Sequence, residues 1–290
     1  MTTMALSINT VTSESVVRPP SIYVGIDVGY RTHVAAACGL QDFNPQRGRD
    51  AWRRVRTVQF TADAAGFAHL QRYLDRFSLD PVDFLVLLEP TGDHIEAGCQ
   101  GTLHVRAHFE GERAHSARPW KGRNAIYAAA DVLERLAAHE PDTVLVDGLP
   151  YRESLQVVRI EGGVANNVVP DECTIVVNRR FAPKYSVDEA RAQVEKLLEG
   201  ADRVEVINAS PAAPPNLGDP LTAEFVEVLR LDVEPKLGWT DVARFASRDI
   251  PAVNFGPGDP DVAHTADERV TRASVEQCYA AFARFLGLAA

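Results

Sequence analysis

Two acidic residues lie where a predicted strand gives way to a turn, a position suited to holding a ligand or a metal ion. The run Phe84–Leu88 is continuously apolar, as in a strand buried on both faces, and Glu89 follows it directly. Ile22–Val28 is another predicted strand, with Asp27 near its end. In open α/β sheets, ligands bind at the carboxyl ends of the strands. We therefore expect Glu89 and Asp27 to mark candidate chemistry, with simple hydrogen bonding in the turn as the alternative for Asp27.

Composition limits the classes of protein to which the chain can belong. With 290 residues, 46% of them hydrophobic, it can form one large or two ordinary domains around a substantial core. A net charge of −10 argues against a general nucleic-acid binder. The four cysteines are far apart and form no CxxC pair, which argues against a disulfide framework and favours a cytoplasmic location. Residues 1–21 are polar and lack a signal-peptide core, so we expect a disordered tail and no membrane association.

The segment 22–92 is predicted to combine strands with one helix. Ile22–Val28 and His33–Cys38 could form a hairpin, and Val55–Phe60 is a further strand. Thr61 suits the N-cap of a helix whose apolar residues recur at helical spacing. Those apolar residues are Phe67, Leu70, Leu74 and Phe77. With the strand that ends at Glu89, the predicted order is ββ(β)αβ.

Residues 93–209 are predicted to form a different fold. Thr102–Phe109 alternates between apolar and polar residues, as in a strand with one exposed face, and we assign structural roles to His104 and His108 on its polar side. The elements predicted next are a helix over 122–139, strands over 155–160 and 174–181, a helix over 187–198 and a strand over 203–207. The first of these helices is expected to bury Ile126, Ala129, Leu133 and Leu136. The order βαββαβ is that of a ferredoxin-like sandwich.

A linker rich in Pro and Ala, residues 210–220, predicts a domain boundary. After it we expect a helix over 221–231, a strand over 252–255 and a closing helix over 272–286. The apolar face predicted for the closing helix consists of Val275, Tyr279, Phe282 and Leu286. The predicted divisions of the chain are therefore a tail over 1–21, a first segment over 22–92, a ferredoxin-like domain over 93–209 and a C-terminal part over 210–290.

The motifs GIDVGYRTHV, TADAAGFAHL and LLEPTG give residues 22–92 a resemblance to insertion-sequence transposases with a RuvC-like, RNase H type nuclease domain. In that family four carboxylates hold two divalent metals, and the resemblance implies that Asp27 and Glu89 would be two of them. The other two are not found downstream. The arginine-rich stretch over 47–56 is more simply a solvated loop than a DNA contact.

Six further motifs lie in order over about 200 residues: LLEPTGDHIEAGCQGTLHV, FEGERAHSARPW, GGVANNVVPDE, NRRFAP, GWTDVARF and FGPGDPDVAHTADE. They resemble the succinyl-diaminopimelate desuccinylases of the aminoacylase and carboxypeptidase superfamily of dinuclear zinc hydrolases. The resemblance implies a zinc-binding α/β domain interrupted by an inserted ferredoxin-like domain that mediates homodimerisation. It also implies hydrolysis of a succinyl amide on a small diamino acid, in lysine and diaminopimelate biosynthesis.

The same resemblance assigns roles to individual residues. Glu89 and His264 match zinc ligands, and His115 matches the histidine of the inserted domain that steadies the oxyanion in the partner's active site. The substrate-binding residues that it implies are Asn166, Asn167, Arg180, Thr240 and Asp241. On residue type alone, His264 could instead be a surface histidine, Arg180 half of an ion pair, and His115 a polar residue before a helix.

Much of the expected zinc cage is missing from the sequence. Residues 1–88 contain no HxD motif, and the chain contains no adjacent Glu-Glu pair, which in the resembled family supply zinc ligands and the general base. The sequence thus predicts an incomplete hydrolase domain fused to the RNase H-like segment, with impaired or absent activity and doubtful zinc occupancy. The alternatives are a transposase-related nucleic-acid-binding protein, or a non-catalytic module that dimerises or binds a small ligand.

Overall fold

The computed structural model describes residues 84–263 and 265–285 with their side chains, and the backbone of three strands that precede them. The chain divides into two compact units. The split unit comprises Met1–Gly98, Pro215–Glu234 and Arg244–Ala290, and the central unit comprises Cys99–Pro214 and Pro235–Ala243. None of the helices in the described part is both long and apolar enough to cross a membrane.

The first three strands form an antiparallel sheet in chain order. They are β1 (Ile22–Val28), β2 (Thr32–Gly39) and β3 (Arg56–Thr61). The predicted hairpin and the third strand are thereby confirmed. The predicted tail over 1–21, the arginines before β3 and the predicted helix after Thr61 lie outside the described residues.

The split unit also contains a mixed four-stranded sheet with helices packed against it. Its strands are β4 (Leu85–Leu87), β5 (Ile95–Ala97), β14 (Val233–Pro235) and β15 (Ala252–Asn254), in the order β14-β5-β15-β4. Two of its helices are α4 (Pro220–Leu229) and α6 (Arg272–Phe285), and a 3₁₀ turn spans Pro260–Val262. β15 runs parallel to β4 and antiparallel to β5. All three residues of β4 are buried, as the continuous apolar run predicted.

Aromatic side chains form the core of the split unit. Phe84, Phe225, Phe255 and Phe282 pack against one another with ring centroids 5.5 to 6.2 Å apart. The predicted apolar face of α6 was largely wrong. Val275 is 45% exposed and Tyr279 71% exposed, whereas Cys278, Ala281 and Phe282 are buried. The face of α6 that packs against the core therefore includes small residues as well as Phe282. Leu286 lies outside the described residues.

The central unit is the predicted ferredoxin-like sandwich. Its main strands are β6 (Gly101–Glu110), β10 (Ser154–Gly162), β12 (Glu172–Phe181) and β13 (Arg203–Ser210), and its helices are α1 (Ala125–Ala128), α2 (Ala130–Ala137) and α3 (Val187–Leu197). The strand order is β10-β12-β6-β13 and every pairing is antiparallel. The short helix α5 (Val242–Ala246) follows at the division between the units.

Alternation along β6 places one set of side chains in the core, as predicted. Leu103, Val105, Ala107 and Phe109 are fully buried, and they pack with apolar residues of β12 and of the helices.

Ser186 and Glu189 form a reciprocal capping box, which explains why α3 begins at Val187.

The helix predicted over 122–139 is shorter than predicted and is divided in two. Asn124 caps it by accepting a hydrogen bond from the Ile126 backbone N–H, and it breaks into α1 and α2 at Ala129. The buried residues are Ala125, Ala129, Val132 and Leu136. Of the four residues predicted to face the core, Ala129 and Leu136 are buried and Leu133 is partly buried against it, whereas Ile126 is exposed.

Two small strand pairs were not predicted. One joins β7 (Ala114–His115) to β11 (Val168–Val169), and the other joins β8 (Thr143–Val146) to β9 (Leu149–Arg152). The second is a hairpin whose turn residues Asp147 and Gly148 both have positive φ. An Asp-Gly pair between apolar residues favours this kind of turn, so the signal was present in the sequence.

Candidate functional site

Glu89 lies where the segments that follow β4 and β15 pack closely against each other, at the carboxyl ends of these strands. The Thr91 hydroxyl is fully buried and bridges to the segment after β15, where it donates to the Gly256 carbonyl oxygen at 3.2 Å and accepts from the Gly256 N–H at 3.3 Å. A Cβ on Gly256 would lie 2.5 Å from the Glu89 carbonyl oxygen, so the two segments meet backbone to backbone. The structure thus places Glu89, partly exposed, at the end of the sheet where the strand pattern predicted it.

The described residues do not assemble a zinc site. His264, the second predicted zinc ligand, lies outside the described residues. Among residues 84–263 and 265–285, no three His, Cys, Asp or Glu side chains come together as a metal site would require. The side chains in this part of the chain therefore do not fit a dinuclear zinc centre.

Arg180 is a partly buried cation near the end of β12. Across the described part of the chain, its side chain has neither a hydrogen bond nor an ion pair with another residue. Burial lowers the pKa of its guanidinium, and the nearby Cys99 is a thiol whose own pKa is raised by burial. A partly desolvated guanidinium that has no carboxylate partner among the described residues is suited to bind the carboxylate of a ligand.

Thr240 and Asp241 lie in the same unit as Arg180, and both are buried. Cys99 joins this group because its thiol donates to the Thr240 carbonyl oxygen at 3.7 Å. The Thr240 hydroxyl is buried without a hydrogen-bond partner among the described residues. The structure therefore brings three of the predicted substrate-binding residues, Arg180, Thr240 and Asp241, to one region of the central unit.

His115, Asn166 and Asn167 form a second group. His115 pairs with Val168 in the β7–β11 ribbon, and the Ser116 N–H donates to the Asn167 carbonyl oxygen at 2.9 Å. The Nδ1 atom of His115 accepts from the Ala117 N–H at 3.1 Å, so in the neutral ring the proton is on Nε2. The exposed imidazole can therefore present an N–H donor outward, as a group that stabilises an oxyanion must.

The two groups lie at opposite ends of the sheet. The His115 ribbon adjoins the start of β12, because the Gly111 N–H donates to the Asp171 carbonyl oxygen at 2.7 Å and Arg113 pairs with Asp171 at 2.7 Å. Arg180 is eight residues further along β12, which corresponds to roughly 26 Å of extended strand. His115 and Arg180 of one chain are thus too far apart to hold a single small molecule between them.

Sequence reasoning missed the polar neighbours of Arg180. Thr102 is its cross-strand partner on β6, and His104 faces Asn178 in the next position of the same ladder. The imidazole of His104 is hydrogen-bonded to the Asn178 amide through Nε2, while its Nδ1 atom is buried without a partner among the described residues. Burial, together with the charge of Arg180, lowers the pKa of His104. Only the cross-strand register, which a single strand's pattern does not show, brings these residues together.

Comparison with known families and sequences places the central unit among peptidase domains. Residues 98–205 match the family model described as Peptidase dimerisation domain. The chain is 45% identical over 225 residues to a putative succinyl-diaminopimelate desuccinylase DapE of Mycobacterium tuberculosis, covering 77% of this chain and 63% of the relative. It is also 45% identical over 192 residues to the succinyl-diaminopimelate desuccinylase of Corynebacterium glutamicum, covering 64% of this chain and 52% of that protein. The chain therefore spans between half and two thirds of the length of these relatives.

Solved structures share the fold. The aminopeptidase PepT of Bacillus cereus aligns with a TM-score of 0.59 at 19% identity, covering 91% of this chain and 74% of that one. An M20 family metallo-carboxypeptidase of Sulfolobus solfataricus aligns with a TM-score of 0.60 at 15% identity, covering 80% of this chain and 70% of that one. The chain is thus similar in sequence to succinyl-diaminopimelate desuccinylases, matches the peptidase dimerisation domain over residues 98–205, and shares the mixed α/β fold of these solved structures.

Proposed function

We propose that this chain supplies the substrate-carboxylate site and the dimerisation surface of a DapE-like amide hydrolase that acts on a succinylated diamino acid. The observation that carries the proposal is the partly buried Arg180 guanidinium, which has no acidic partner in the described part of the fold. A cation held in this way costs folding energy that a bound carboxylate would recover. The 45% identity to the desuccinylases named above supports a succinyl amide as the source of that carboxylate.

The roles of the other site residues follow from the same proposal. Thr240 and Asp241 would line the pocket beside Arg180, while His115, Asn166 and Asn167 would act on the substrate held by a second copy of the chain. His115 would donate its Nε2–H to the oxyanion that forms when the amide carbonyl is attacked, and one such donor can be worth about 3 kcal/mol in the barrier. Glu89 and His264 would be the zinc ligands that remain in this sequence, and zinc would supply the activated water in an intact enzyme.

Replacing Arg180 by alanine tests the carboxylate site. We expect Arg180→Ala to weaken the binding of N-succinyl-diaminopimelate about 10- to 100-fold, because a hydrogen bond to a charged group contributes about 1.5–3 kcal/mol. The measurement is isothermal titration calorimetry of native and variant protein. Arg191→Ala is the matched control, since Arg191 lies on the surface of the same unit in a pair with Glu195. Unchanged affinity in Arg180→Ala would refute the proposal.

We further propose that two copies pair along the β10 edge of the central sheet. Val158 and Ile160 on that edge strand are 57% and 52% exposed, and the exposed Ile126 lies beside its end at Gly162. An unpaired strand edge with apolar side chains is a surface that a second chain can extend. A pairing of this kind would give each chain a neighbour that can bring the distant His115 group to Arg180.

A charge at the edge should separate the two copies. Ile160→Glu is expected to shift the protein from dimer to monomer in analytical ultracentrifugation, because a carboxylate would be buried against its symmetry mate. Ile207→Glu is the matched control on β13, the opposite edge of the sheet, where Ile207 is 45% exposed. If Ile207→Glu dissociated the dimer and Ile160→Glu did not, the interface would lie on β13.

We propose, finally, that residues 22–92 are an RNase H-like segment related to transposases. The antiparallel order β1-β2-β3 supports this origin, as does the pair of acids at Asp27 and Glu89. A gel-shift assay over a range of salt concentrations tests whether nucleic-acid binding has survived, since phosphate contacts weaken steeply with salt. With a net charge of −10, we expect no shift at physiological salt.

A further inference from the structure

Arg180 and five polar side chains around it share one face of the central sheet. Cross-strand pairing sets Arg180 against Thr102, and Thr102 against Ser210. One step along the ladder it sets Asn178 against His104, and His104 against Asn208. Residues directly opposite in antiparallel strands project from the same face, so the two rows share one surface. That surface carries one cation and no carboxylate among these six residues.

Two of these side chains have buried polar atoms that no other described residue satisfies. The Thr102 hydroxyl oxygen has no hydrogen bond within the described part of the chain although the residue is only 6% exposed, and the Nδ1 atom of His104 is likewise buried and unpaired there. Because the Asn178 amide donates to Nε2 of His104, the proton of the neutral ring lies on Nδ1, which makes it an unpaired donor. Burying a polar group without a partner costs about 1–3 kcal/mol, so such groups call for an explanation.

A ligand bound at Arg180 provides that explanation. A carboxylate gripped by Arg180 would reach the directly opposite Thr102, and the second row lies about 6.6 Å further along the strands. That spacing matches the two ends of a four- or five-carbon dicarboxylate or of its monoamide. Thr102 is closed to solvent, and the neighbouring Arg180 side chain, which has no hydrogen bond to another described residue, is the group that can move aside to admit a ligand.

We propose that Thr102 and His104 are specificity-determining residues that extend the Arg180 site into a two-point site for a short dicarboxylate or its monoamide. This rests on the proposed carboxylate site at Arg180. Thr102 would donate to the gripped carboxylate, and His104 would donate Nδ1–H to the oxygen at the other end of the acyl chain. Asn178 would position His104 by holding the opposite ring nitrogen.

The test compares succinate with acetate as probes, using NMR titration of isotope-labelled protein. Acetate offers one carboxylate and succinate offers two, so the native protein should bind succinate at least about 10-fold more tightly than acetate, a factor worth about 1.4 kcal/mol. Thr102→Val and His104→Phe should each reduce that preference about 3- to 10-fold. Thr102→Val should also leave the protein as stable as before or more stable, because it removes a buried hydroxyl that has no partner.

Matched controls lie on the same ladder. Thr174→Val and His108→Phe replace residues that pair with each other at the far end of the same two strands, and both should keep the native preference for succinate. Equal preference in all four variants and the native protein would overturn the two-point site while leaving Arg180 as a simple carboxylate site. Succinate binding that persists unchanged in Arg180→Ala would overturn the carboxylate site as well.

Discussion

A purified polypeptide of this sequence, supplied with zinc or cobalt, is expected to release no succinate from N-succinyl-diaminopimelate above the rate in buffer. In an intact enzyme of the kind proposed, zinc would activate the attacking water and a base would take its proton. The HxD motif and the adjacent Glu-Glu pair that would supply ligands and base are not in the sequence. His115 and Arg180 could therefore still orient a substrate, but they would have no nucleophile to direct at it.

The expected loss of succinate-releasing activity is large enough to measure against an intact enzyme. Loss of a positioned base alone reduces rates about 10²–10⁴-fold, and loss of the activation that zinc would supply adds to that. The positive control is the succinyl-diaminopimelate desuccinylase of Corynebacterium glutamicum in the same assay. Elemental analysis of the purified chain should find well under two zinc ions per polypeptide. Turnover within a few hundredfold of the control enzyme would mean that other residues of this sequence complete the catalytic centre.

Removing the buried arginine beside Arg180 should have the largest effect on stability. Arg179 is 5% exposed and Glu153 3% exposed at the side chain, and they pair at 2.9 Å. Arg179 also donates to the Gln193 side chain at 2.7 Å, and Glu153 accepts from the Ala182 N–H at 2.8 Å. This network ties the end of β12 to α3 and to the start of β10, so it fixes the strand end from which Arg180 projects.

We expect Arg179→Met to lower the free energy of unfolding by about 3–5 kcal/mol, because it leaves the Glu153 carboxylate buried without its counter-charge. Urea denaturation of native and variant protein measures the loss. Arg191→Ala, which breaks the exposed pair with Glu195, should cost less than about 1 kcal/mol in the same experiment. A loss of that small size in Arg179→Met would show that the buried pair contributes no more than a surface pair.

The sequence predicted the strands better than the faces of the helices. The alternation over residues 102–109 predicted a half-exposed strand, and the apolar run over 84–88 predicted a buried strand. Both strands were confirmed. The helix faces were harder because small residues can face the core as readily as large ones. Ala125 and Ala281 are buried, whereas the bulkier Ile126 and Tyr279 are exposed. Periodicity reveals that a stripe exists, while capping and neighbouring elements decide which stripe is buried.

The candidate site shows a similar limit. The motifs identified Arg180 and His115, but the sequence contains no measure of the distance between them, which only the strand order of the sheet supplies. The sequence predicted only a structural role for His104, because its relation to Arg180 depends on the pairing of β6 with β12. Glu89 was the easier case, since its position follows from the end of a single buried strand.

The span of roughly 26 Å along β12 between the His115 group and Arg180 predicts how a dimer of two different defective chains would behave. If each pocket borrows its imidazole from the neighbouring copy, a mixed pair of His115→Ala and Arg180→Ala chains contains one pocket with both lesions and one with neither. Such a hybrid would recover half of the native binding capacity although neither parent pair has an undamaged pocket. Two defective alleles would then complement each other, because the length of β12 keeps His115 and Arg180 of one chain in different pockets.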